Sequence, residues 1–320
     1  MIATLLVTLA VVIVIVAGFL VVLVQPLAIA ARSTPPPVDP ARLEAHVRKL
    51  SVDFHPRRYD QPENIARTVQ YIADTLTATG AAVSMQEIVV GGRPYRNVIA
   101  RYGPATGPLL VIGAHYDSYD ITPGADDNAS GVAGLLELAR LLGATPPTRS
   151  IELVAYAFEE QPRARGKADM GSAWHARSLR AANRDVELML SLEMIGYFTD
   201  APKSQRFPAP GLDLLYPDRG DFIALVGKLS DFGAMRRAKS AMAGATSLPV
   251  HSLNSPRKVP GIENSDHVNF WDAGYPALMV TDTAYLRNPN YHESGDTWQT
   301  LDYKRMAQVV QGVYAITRRE

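Results

Sequence analysis

Acidic and histidine side chains stand within or just beyond four short apolar runs of the chain. These side chains are His115, Asp117, Glu159, Glu160, Glu193 and His292. Asp127 lies in a turn, residues 124–131, between the first two runs. In an open α/β sheet, ligands bind outside the carboxyl ends of the strands. We therefore expect these groups to converge in one cleft.

A cleft with so many carboxylates requires cations, because a buried unpaired carboxylate is costly. No row of Lys or Arg is placed to neutralise them, whereas two divalent metal ions would. Two imidazoles and three or more carboxylates, without sulfur, favour zinc. The chain has no Cys, which excludes thiolate ligands, a Cys nucleophile and disulfides. Two metal ions that share a carboxylate and a water are a known hydrolytic device.

The same residues belong to an ordered set of six motifs. The motifs are His115-Tyr116-Asp117-Ser118, residues 124–131, Glu159-Glu160, residues 192–196, Ser265-Asp266-His267, and Tyr291-His292 through Asp296-Thr297. The set resembles that of the two-zinc aminopeptidases, the bacterial leucyl aminopeptidase-like metallopeptidases. Relatives of that family include glutamate carboxypeptidase and glutaminyl cyclase. The resemblance covers about residues 41–320, and its strength lies in the order of the motifs rather than in any one of them.

The resemblance implies a ligand set for two metal ions. Asp127 would bridge the ions, His115 and Glu193 would complete one site, and Glu160 and His292 would complete the other. It also implies a cis peptide bond between Asp127 and Asn128. Family members often carry Asp where Glu193 stands, and Glu reaches about one methylene further, which could alter the coordination.

Three further roles follow from the resemblance. Glu159 would be the general base. Asp117 would orient the imidazole of His115. Tyr291 would donate a hydrogen bond to the oxyanion of the transition state. Asp126 is expected to form the turn rather than to bind metal, and Asp266 and His267 to begin a helix behind the ligands. The remaining histidines, which match no motif, are expected to be structural or exposed: His46, His55, His175 and His251.

The elements that must position these groups alternate along the chain. Strands are predicted at residues 81–90, 96–102, 109–114, 151–158, 188–195, 222–226 and 277–280. Helices are predicted at residues 42–49, 63–79, 130–142, 171–180, 232–243, 265–271 and 303–318. Strands that alternate with helices predict an α/β fold, with a mostly parallel central sheet covered by helices on both faces. We expect one catalytic domain, residues 41–320.

The N-terminal segment predicts a membrane anchor. Residues 2–24 contain no charge, and 23 helical residues rise roughly 35 Å, enough to cross a hydrocarbon core of about 30 Å. We therefore assign residues 1–25 to a transmembrane helix and residues 26–40 to a Pro-rich linker. The alternative is a signal segment, cleaved at the small-residue pattern Ala28-Ile29-Ala30.

Two arguments about topology disagree. Arg32 and Arg42 follow the apolar segment and no basic residue precedes it, which weakly favours a cytoplasmic domain. Many members of the family that the chain resembles act outside the cytoplasm. We predict a single-pass protein of the cell membrane with its catalytic domain outside the cytoplasm; secretion after signal cleavage is the alternative.

The motifs predict a zinc-dependent exopeptidase, most simply an aminopeptidase acting on short peptides. A carboxypeptidase or another amide hydrolase would use the same metal ions, and basic residues such as Arg257 or Arg287 in the pocket would favour it. A glutaminyl cyclase-like transferase and a non-enzymatic binding domain are further alternatives. With 32 basic and 32 acidic residues the chain has no net charge, so nucleic acid is not an expected partner. The sequence does not assign an oligomeric state.

Overall fold

The computed structural model describes residues 24–160 and 167–318, together with Thr8 and Gly18. Most of the predicted transmembrane segment therefore lies outside the described residues. Among the residues that are described, no helix is long and apolar enough to span a membrane.

One eight-stranded sheet runs through the domain. The strands are β1 (Ala82–Val90), β2 (Arg93–Tyr102), β3 (Leu109–His115), β4 (Ser150–Tyr156), β5 (Val186–Glu193), β6 (Ile223–Lys228), β7 (Val250–Ser255) and β8 (Ala277–Thr281). Their order across the sheet is β1-β2-β4-β3-β5-β8-β6-β7. The four central strands β4, β3, β5 and β8 are parallel to one another, which agrees with the predicted parallel centre.

Helices cover both faces of this sheet. They are α1 (Pro40–Arg48), α2 (Pro62–Thr77), α3 (Gly131–Ala144), α4 (Gly171–Ala181), α5 (Phe232–Ala245), α6 (His267–Asp272) and α7 (Tyr303–Thr317). Alternate residues of β3 enter two separate apolar clusters, because successive side chains of a strand point to opposite faces. Leu110 and Ile112 pack with residues of α1, α2, α3, α5 and α7, whereas Leu109 and Val111 pack with residues of α4 and α6.

Away from its centre the sheet is mixed rather than parallel. β2 pairs antiparallel with both β1 and β4, and β6 pairs antiparallel with β8. β7, which the sequence analysis missed, pairs parallel with β6 at the sheet edge. Its sequence, Val-His-Ser-Leu-Asn-Ser, is too polar to read as a buried strand. The predicted helix at residues 265–271 begins at His267 instead.

The linker predicted at residues 26–40 lies against the domain. Ala31 N–H donates to the carbonyl of Ser240 at 2.9 Å, and Ser33 N–H donates to the carbonyl of Gly244 at 3.0 Å. A Cβ at Gly244 would lie 1.9 Å from the carbonyl oxygen of Ala31, so only glycine allows the chain to approach α5 this closely. Val38 is buried in the core. Residues 25–33 thus form a strap along α5.

Candidate metal centre

The predicted ligands meet at the carboxyl edge of the four central parallel strands. His115 is the last residue of β3, and Glu193 is the last residue of β5. Glu160 follows β4, and His292 lies in the loop that follows β8. The strand order therefore brings together side chains that are far apart in sequence.

Asp127 lies between the two histidines. Its Oδ1 is 3.3 Å from His115 Nε2, and its Oδ2 is 3.3 Å from His292 Nε2. His115 Nε2 is also 3.4 Å from Glu193 Oε2, and His292 Nε2 is 2.8 Å from Glu160 Oε1. The five side chains thus form two three-residue groups, each able to hold a metal ion, with Asp127 common to both.

The polar atoms of this cluster lack the partners that a closed protein network would supply. Both ring nitrogens of His115 and Oδ1 of Asp127 are buried without a hydrogen-bond partner. A buried polar atom without a partner is costly. A divalent cation such as zinc would satisfy His115 Nε2 and Asp127 Oδ1 together, whereas His115 Nδ1 faces Asp117 Oδ1.

The electrostatics of the cluster show an excess of carboxylates. Burial raises the pKa of Glu160 to about 8, with the charge of Asp127 adding to the effect. Burial also raises the pKa of Glu159 well above its usual value, although His115 opposes this. Burial alone would lower the pKa of His292, but Asp127 and Glu160 outweigh it and raise that pKa to about 10. Cation binding would relieve this repulsion.

The turn that presents Asp127 is fixed to β5. The Asp127–Asn128 peptide bond is cis, as the resemblance implied. Asn128 Oδ1 accepts a hydrogen bond from Met194 N–H at 3.1 Å, and Asn128 Nδ2 donates to the carbonyl of Leu192 at 2.8 Å. One amide side chain therefore ties the shared carboxylate to the strand that carries Glu193.

Two further carboxylates hold the backbone behind the ligands. Asp117 Oδ1 and Oδ2 accept hydrogen bonds from the N–H groups of Glu159 and Glu160, at 3.1 and 2.9 Å. Asp117 Oδ1 also lies 3.5 Å from His115 Nδ1. Asp296 accepts hydrogen bonds from Asp127 N–H at 3.1 Å and from the preceding amide at 2.8 Å. Asp117 thus contacts both a histidine and the loop of the predicted general base.

The side chain of Glu193, which is longer than the Asp often found at this position in the family, is held by a chain of serine hydroxyls. Ser265 Oγ donates to Glu193 Oε2 at 2.6 Å, and Ser191 Oγ lies 2.7 Å from Ser265 Oγ. Neither Asp266 nor His267 belongs to the two ligand groups. His267 Nε2 instead donates to a backbone carbonyl 2.8 Å away, as expected for a residue that lies behind the ligands.

His292 is held between two aromatic rings. The ring of Tyr291 stacks on it at a centroid distance of 3.8 Å, and the ring of Tyr119 at 3.9 Å. Two rings at such distances, both nearly parallel to the imidazole, must lie on opposite faces of it. The contact of Tyr119 with His292 was not predictable from the sequence, since an exposed aromatic residue in a loop carries no pattern that would reveal it.

Arg57 is a second residue that the sequence analysis missed. It is fully buried, and its side chain donates to the carbonyls of Leu50, Tyr116, Pro123 and Gly124 at 2.7–2.9 Å. Burial lowers its pKa to about 10, against the charges of Asp296 and Asp117. The loop between β3 and the Asp127 turn is therefore wrapped around one guanidinium. No sequence motif predicts a buried arginine at position 57.

Asp126 faces away from the ligands, as expected. Its Oδ1 accepts a hydrogen bond from Gly196 N–H at 3.0 Å, and its Oδ2 accepts one from Asn288 Nδ2 at 2.8 Å. It also pairs with the buried carboxyl of Asp282, and burial raises the pKa of both groups, that of Asp282 to about 6. Asp126 thus ties the turn to the loop that carries His292.

The histidines outside the motifs have separate partners. His46 Nδ1 lies 2.6 Å from the hydroxyl of Tyr71, and His55 Nε2 donates to a carbonyl at 2.8 Å. His175 is buried between a tyrosine hydroxyl and the carboxylate of Glu152. His251 differs from the expectation, because it lines a pocket beside the ligands.

This pocket is mainly apolar and has a volume of about 100 Å³. Its lining includes Phe207, Tyr216, Phe222, Val226, Ile262 and Met279. Glu193 and Tyr291 also line it, so it opens onto the metal-binding residues. The arrangement can hold an apolar group next to a hydrolytic centre.

The two arginines that would have favoured a carboxypeptidase do not line this pocket. Arg257 forms surface ion pairs with Glu263 and Asp272. Arg287 is buried, and its guanidinium lies 4.5 Å from the ring centroid of Phe222 and donates to a backbone carbonyl. Arg206 does line the pocket, but its guanidinium donates to the carbonyl of Tyr285.

Comparison with known proteins relates this centre to a family. The sequence model of peptidase family M28 matches residues 97–317. The uncharacterized protein YfbL of Escherichia coli K12 is 50% identical over 305 residues, which is 93% of each chain. Leucine aminopeptidase 1 of Grosmannia clavigera is 26% identical over 286 residues, which is 83% of this chain and 64% of that protein.

Solved structures share the fold at lower sequence identity. The zinc aminopeptidase BSAP of Bacillus subtilis superposes with a TM-score of 0.67 at 15% identity, covering 88% of this chain and 96% of that one. Glutaminyl cyclase of Tannerella forsythia superposes with a TM-score of 0.64 at 21% identity, covering 89% of this chain and all of that one. These similarities establish the architecture but not the reaction.

Proposed function

Because this chain belongs to peptidase family M28, we propose that it is a zinc-dependent aminopeptidase that removes apolar N-terminal residues from short peptides. The observation that carries the proposal is the sharing of Asp127 between two groups of metal-binding residues, beside an apolar pocket. The names of its relatives, leucine aminopeptidase and zinc aminopeptidase, support the same reaction class.

Two divalent metal ions would be held by the residues already described. His115, Asp127 and Glu193 would hold one ion, and Asp127, Glu160 and His292 the other. When bound, the two ions polarise the scissile carbonyl and lower the pKa of water. The chain's own residues contribute orientation and proton transfer.

Glu159 is the residue that we assign to proton transfer. It is adjacent to Glu160 but belongs to neither ligand group, so its carboxylate is free to act on a reacting water. Its backbone N–H is fixed by Asp117. In the proposed reaction Glu159 accepts a proton from water and returns it to the leaving amine. Because Asp117 accepts a hydrogen bond from the backbone N–H of Glu159 and also lies beside His115, it would fix the position of the Glu159 side chain relative to His115.

Tyr291 and the pocket would position the substrate. Tyr291 lines the junction between the pocket and the ligand groups, where its hydroxyl could donate to a developing oxyanion. The apolar lining would accept the first side chain of the peptide, because burying such a group stabilises binding by about 1.5–3 kcal/mol. A free α-amine beside the carboxylates would then place the first peptide bond at the reacting centre.

Metal analysis and a substrate panel test this function. Zinc-replete protein should contain two ions per chain and should hydrolyse Leu- and Phe-amides faster than Asp- or Lys-amides. N-acetylated peptides should not be cleaved. Preferential release of C-terminal residues would identify a carboxypeptidase, cyclisation of N-terminal Gln would identify a transferase, and no turnover with both ions bound would identify a binding domain.

We also propose that the chain is a single-pass membrane protein and that its catalytic domain lies outside the cytoplasm. The uncharged apolar run at residues 2–24 supports the anchor. The peptide substrates would then be those that reach the outer side of the cell membrane.

A further inference from the structure

The strap, residues 25–33, begins directly after the apolar run and is bound to the domain from its first residue. Gln25 Nε2 donates to the carbonyl of Leu215 at 3.3 Å, and Gln25 Oε1 lies 3.2 Å from His251 Nδ1. Lys239 Nζ donates to the carbonyl of Pro26 at 3.2 Å. Pro26 itself is buried. The domain therefore has no free linker between its surface and residue 24.

The hydrogen bonds continue along the strap and fix its orientation on α5. Ser240 Oγ donates to the carbonyl of Ile29 at 2.6 Å, and Ala31 N–H donates back to the carbonyl of Ser240. Consecutive Cα atoms are only about 3.8 Å apart. The face of the domain that surrounds Gln25 must therefore lie beside whatever medium contains residues 2–24.

That face carries exposed apolar side chains. Ile29, Leu214 and Leu27 are 92%, 84% and 73% exposed, and they are the most exposed large apolar side chains among the described residues. Two of them belong to the strap, and the third adjoins Leu215, which Gln25 contacts. We name these three residues the aliphatic face. Exposed apolar side chains on both sides of Gln25, next to an apolar segment, indicate an interaction surface.

The charges around the aliphatic face suit phospholipid headgroups. Arg236 is exposed and precedes Ser240 by one helical turn, so it lies on the strap side of α5 towards Gln25. Arg32, within the strap, is also exposed. Asp213 and Asp218 are the exposed acids near Leu214 in sequence. Basic residues close to a membrane surface are attracted to anionic lipid headgroups.

We propose that the aliphatic face rests in the headgroup region of the phospholipid bilayer that holds residues 2–24. The inference depends on the membrane anchoring proposed above. It goes beyond anchoring, because it fixes which side of the domain meets the lipid. His251 and Tyr216, which line the apolar pocket, then lie directly behind the membrane-facing surface. The substrates are accordingly peptides that partition to the membrane surface through an apolar N-terminal residue.

Single-cysteine labelling tests the inference in the full-length protein. The chain has no native Cys, so Ile29→Cys and Leu214→Cys each introduce one site for an environment-sensitive fluorophore. The matched control is Val89→Cys, a half-exposed apolar position on β1. β1 and β7 are the two opposite edges of the sheet, which are roughly 30 Å apart at about 4.8 Å per strand.

The labelled proteins are reconstituted in vesicles of phosphatidylcholine and phosphatidylglycerol that contain brominated acyl chains. Labels at positions 29 and 214 should be quenched several-fold more than the label at position 89. Equal quenching at all three positions, in protein that sediments with the vesicles, would overturn the proposed orientation. Disulfide-linked dimers of the unlabelled Leu214→Cys protein, together with absence of lipid quenching of the labelled protein, would assign the face to a second copy and would also overturn it.

Two controls separate this inference from the proposals on which it rests. Protein that does not sediment with the vesicles would refute the anchor and, with it, the orientation. Aminopeptidase activity and metal content, measured on the same samples, report on the proposed function independently of where the labels lie.

Discussion

Asp127 connects the two halves of the candidate metal centre, because each of its carboxylate oxygens faces a different histidine. Asp127→Asn replaces the shared carboxylate with a neutral amide that keeps one oxygen donor, and it should lower the metal content of the purified protein. Glu159→Gln should keep both ions and lose about 10²–10⁴-fold in kcat, the range for a general base. Metal analysis and steady-state kinetics on both variants check this division of roles. Equal metal loss in the two variants would contradict it.

The ring of Tyr119 stacks on the imidazole of His292. We expect this ring contact, and not the Tyr119 hydroxyl, to hold His292 in position for metal binding. Tyr119→Ala should weaken binding of the ion at Glu160 and His292 by roughly 2–10-fold, because aromatic pairs contribute about 0.5–1.5 kcal/mol. Tyr119→Phe should bind as the wild type does. Calorimetric titration of apoprotein with zinc measures both sites.

The control for Tyr119 lies on the same loop. Ile121 is 68% exposed, and Ile121→Ala should leave both zinc affinities unchanged. Phe and Ala variants of Tyr119 that weakened zinc binding equally would show that the hydroxyl, and not the stacked ring, is responsible.

The metal-binding residues could be predicted from the sequence because their types, order and positions after apolar runs all point to one chemistry. The roles of Arg57 and Tyr119 could not be predicted, since each residue makes contacts that exist only once the loops have folded. Arg57 follows a Pro in an irregular segment, and nothing in its surroundings distinguishes a buried guanidinium from an exposed one before the loop is closed.

At the scale of elements, the central strands could be predicted because a strand buried on both faces is a continuous apolar run. β3 and β4 are buried throughout. β7 could not be predicted from the sequence, because its residues Ser252 and Asn254 are polar although they are buried in an edge strand. The antiparallel pairs β2–β4 and β6–β8 were also missed, because their direction depends on connections across the sheet rather than on local pattern.

The pairing of α1 with α3 depends on one buried carboxylate. Glu137 on α3 accepts hydrogen bonds from Arg42 of α1 and from Arg140, and lies 3.8 Å from His46. Burial would raise its pKa, but His46 and the two arginines outweigh it and lower the pKa from 4.5 to about 2. The unfolded chain therefore takes up this proton at higher pH than the folded chain does.

Glu137 should accordingly stabilise the fold above pH 4.5, by about 3 kcal/mol, and this contribution should disappear as the pH falls towards 2. Glu137→Gln should lower the free energy of unfolding at neutral pH and flatten its decline between pH 5 and pH 2. Urea unfolding at several pH values measures both effects. Glu63→Gln, on an exposed first turn of α2, is the control. A variant at Glu137 that kept the wild-type slope would contradict the assignment.

At the scale of the whole molecule, the metal centre joins elements from most of the chain. The ligands come from β3, β5 and three loops, and the carboxylates repel one another without cations. Zinc at 1,000 times its Kd should stabilise the fold by about 4 kcal/mol, which raises Tm by roughly 10 °C. Differential scanning calorimetry with and without a chelator measures this. A Tm that did not depend on zinc would show that zinc does not bind preferentially to the folded chain, and would contradict the proposed metal centre.

Topology is the second property of the whole molecule that can be tested. With the domain outside the cytoplasm, protease added to intact spheroplasts should degrade residues 41–320. A cytoplasmic marker protein should survive in the same sample. A domain that resists protease until the membrane is lysed would place it in the cytoplasm.

The strap also limits when the N-terminal segment could be removed. A processing enzyme needs an extended and accessible backbone, but the peptide bond after Ala30 is flanked by two hydrogen bonds. Ser240 Oγ donates one to the carbonyl of Ile29, and Ala31 N–H donates the other to the carbonyl of Ser240. If the alternative of a cleaved signal segment holds, cleavage there would have to precede the docking of this segment on α5. The timing of cleavage would then be coupled to folding: a chain that folds before it is cut would keep its N-terminal segment, and a chain that is cut first would begin at Ala31, with a new α-ammonium group beside the carbonyl of Ser240.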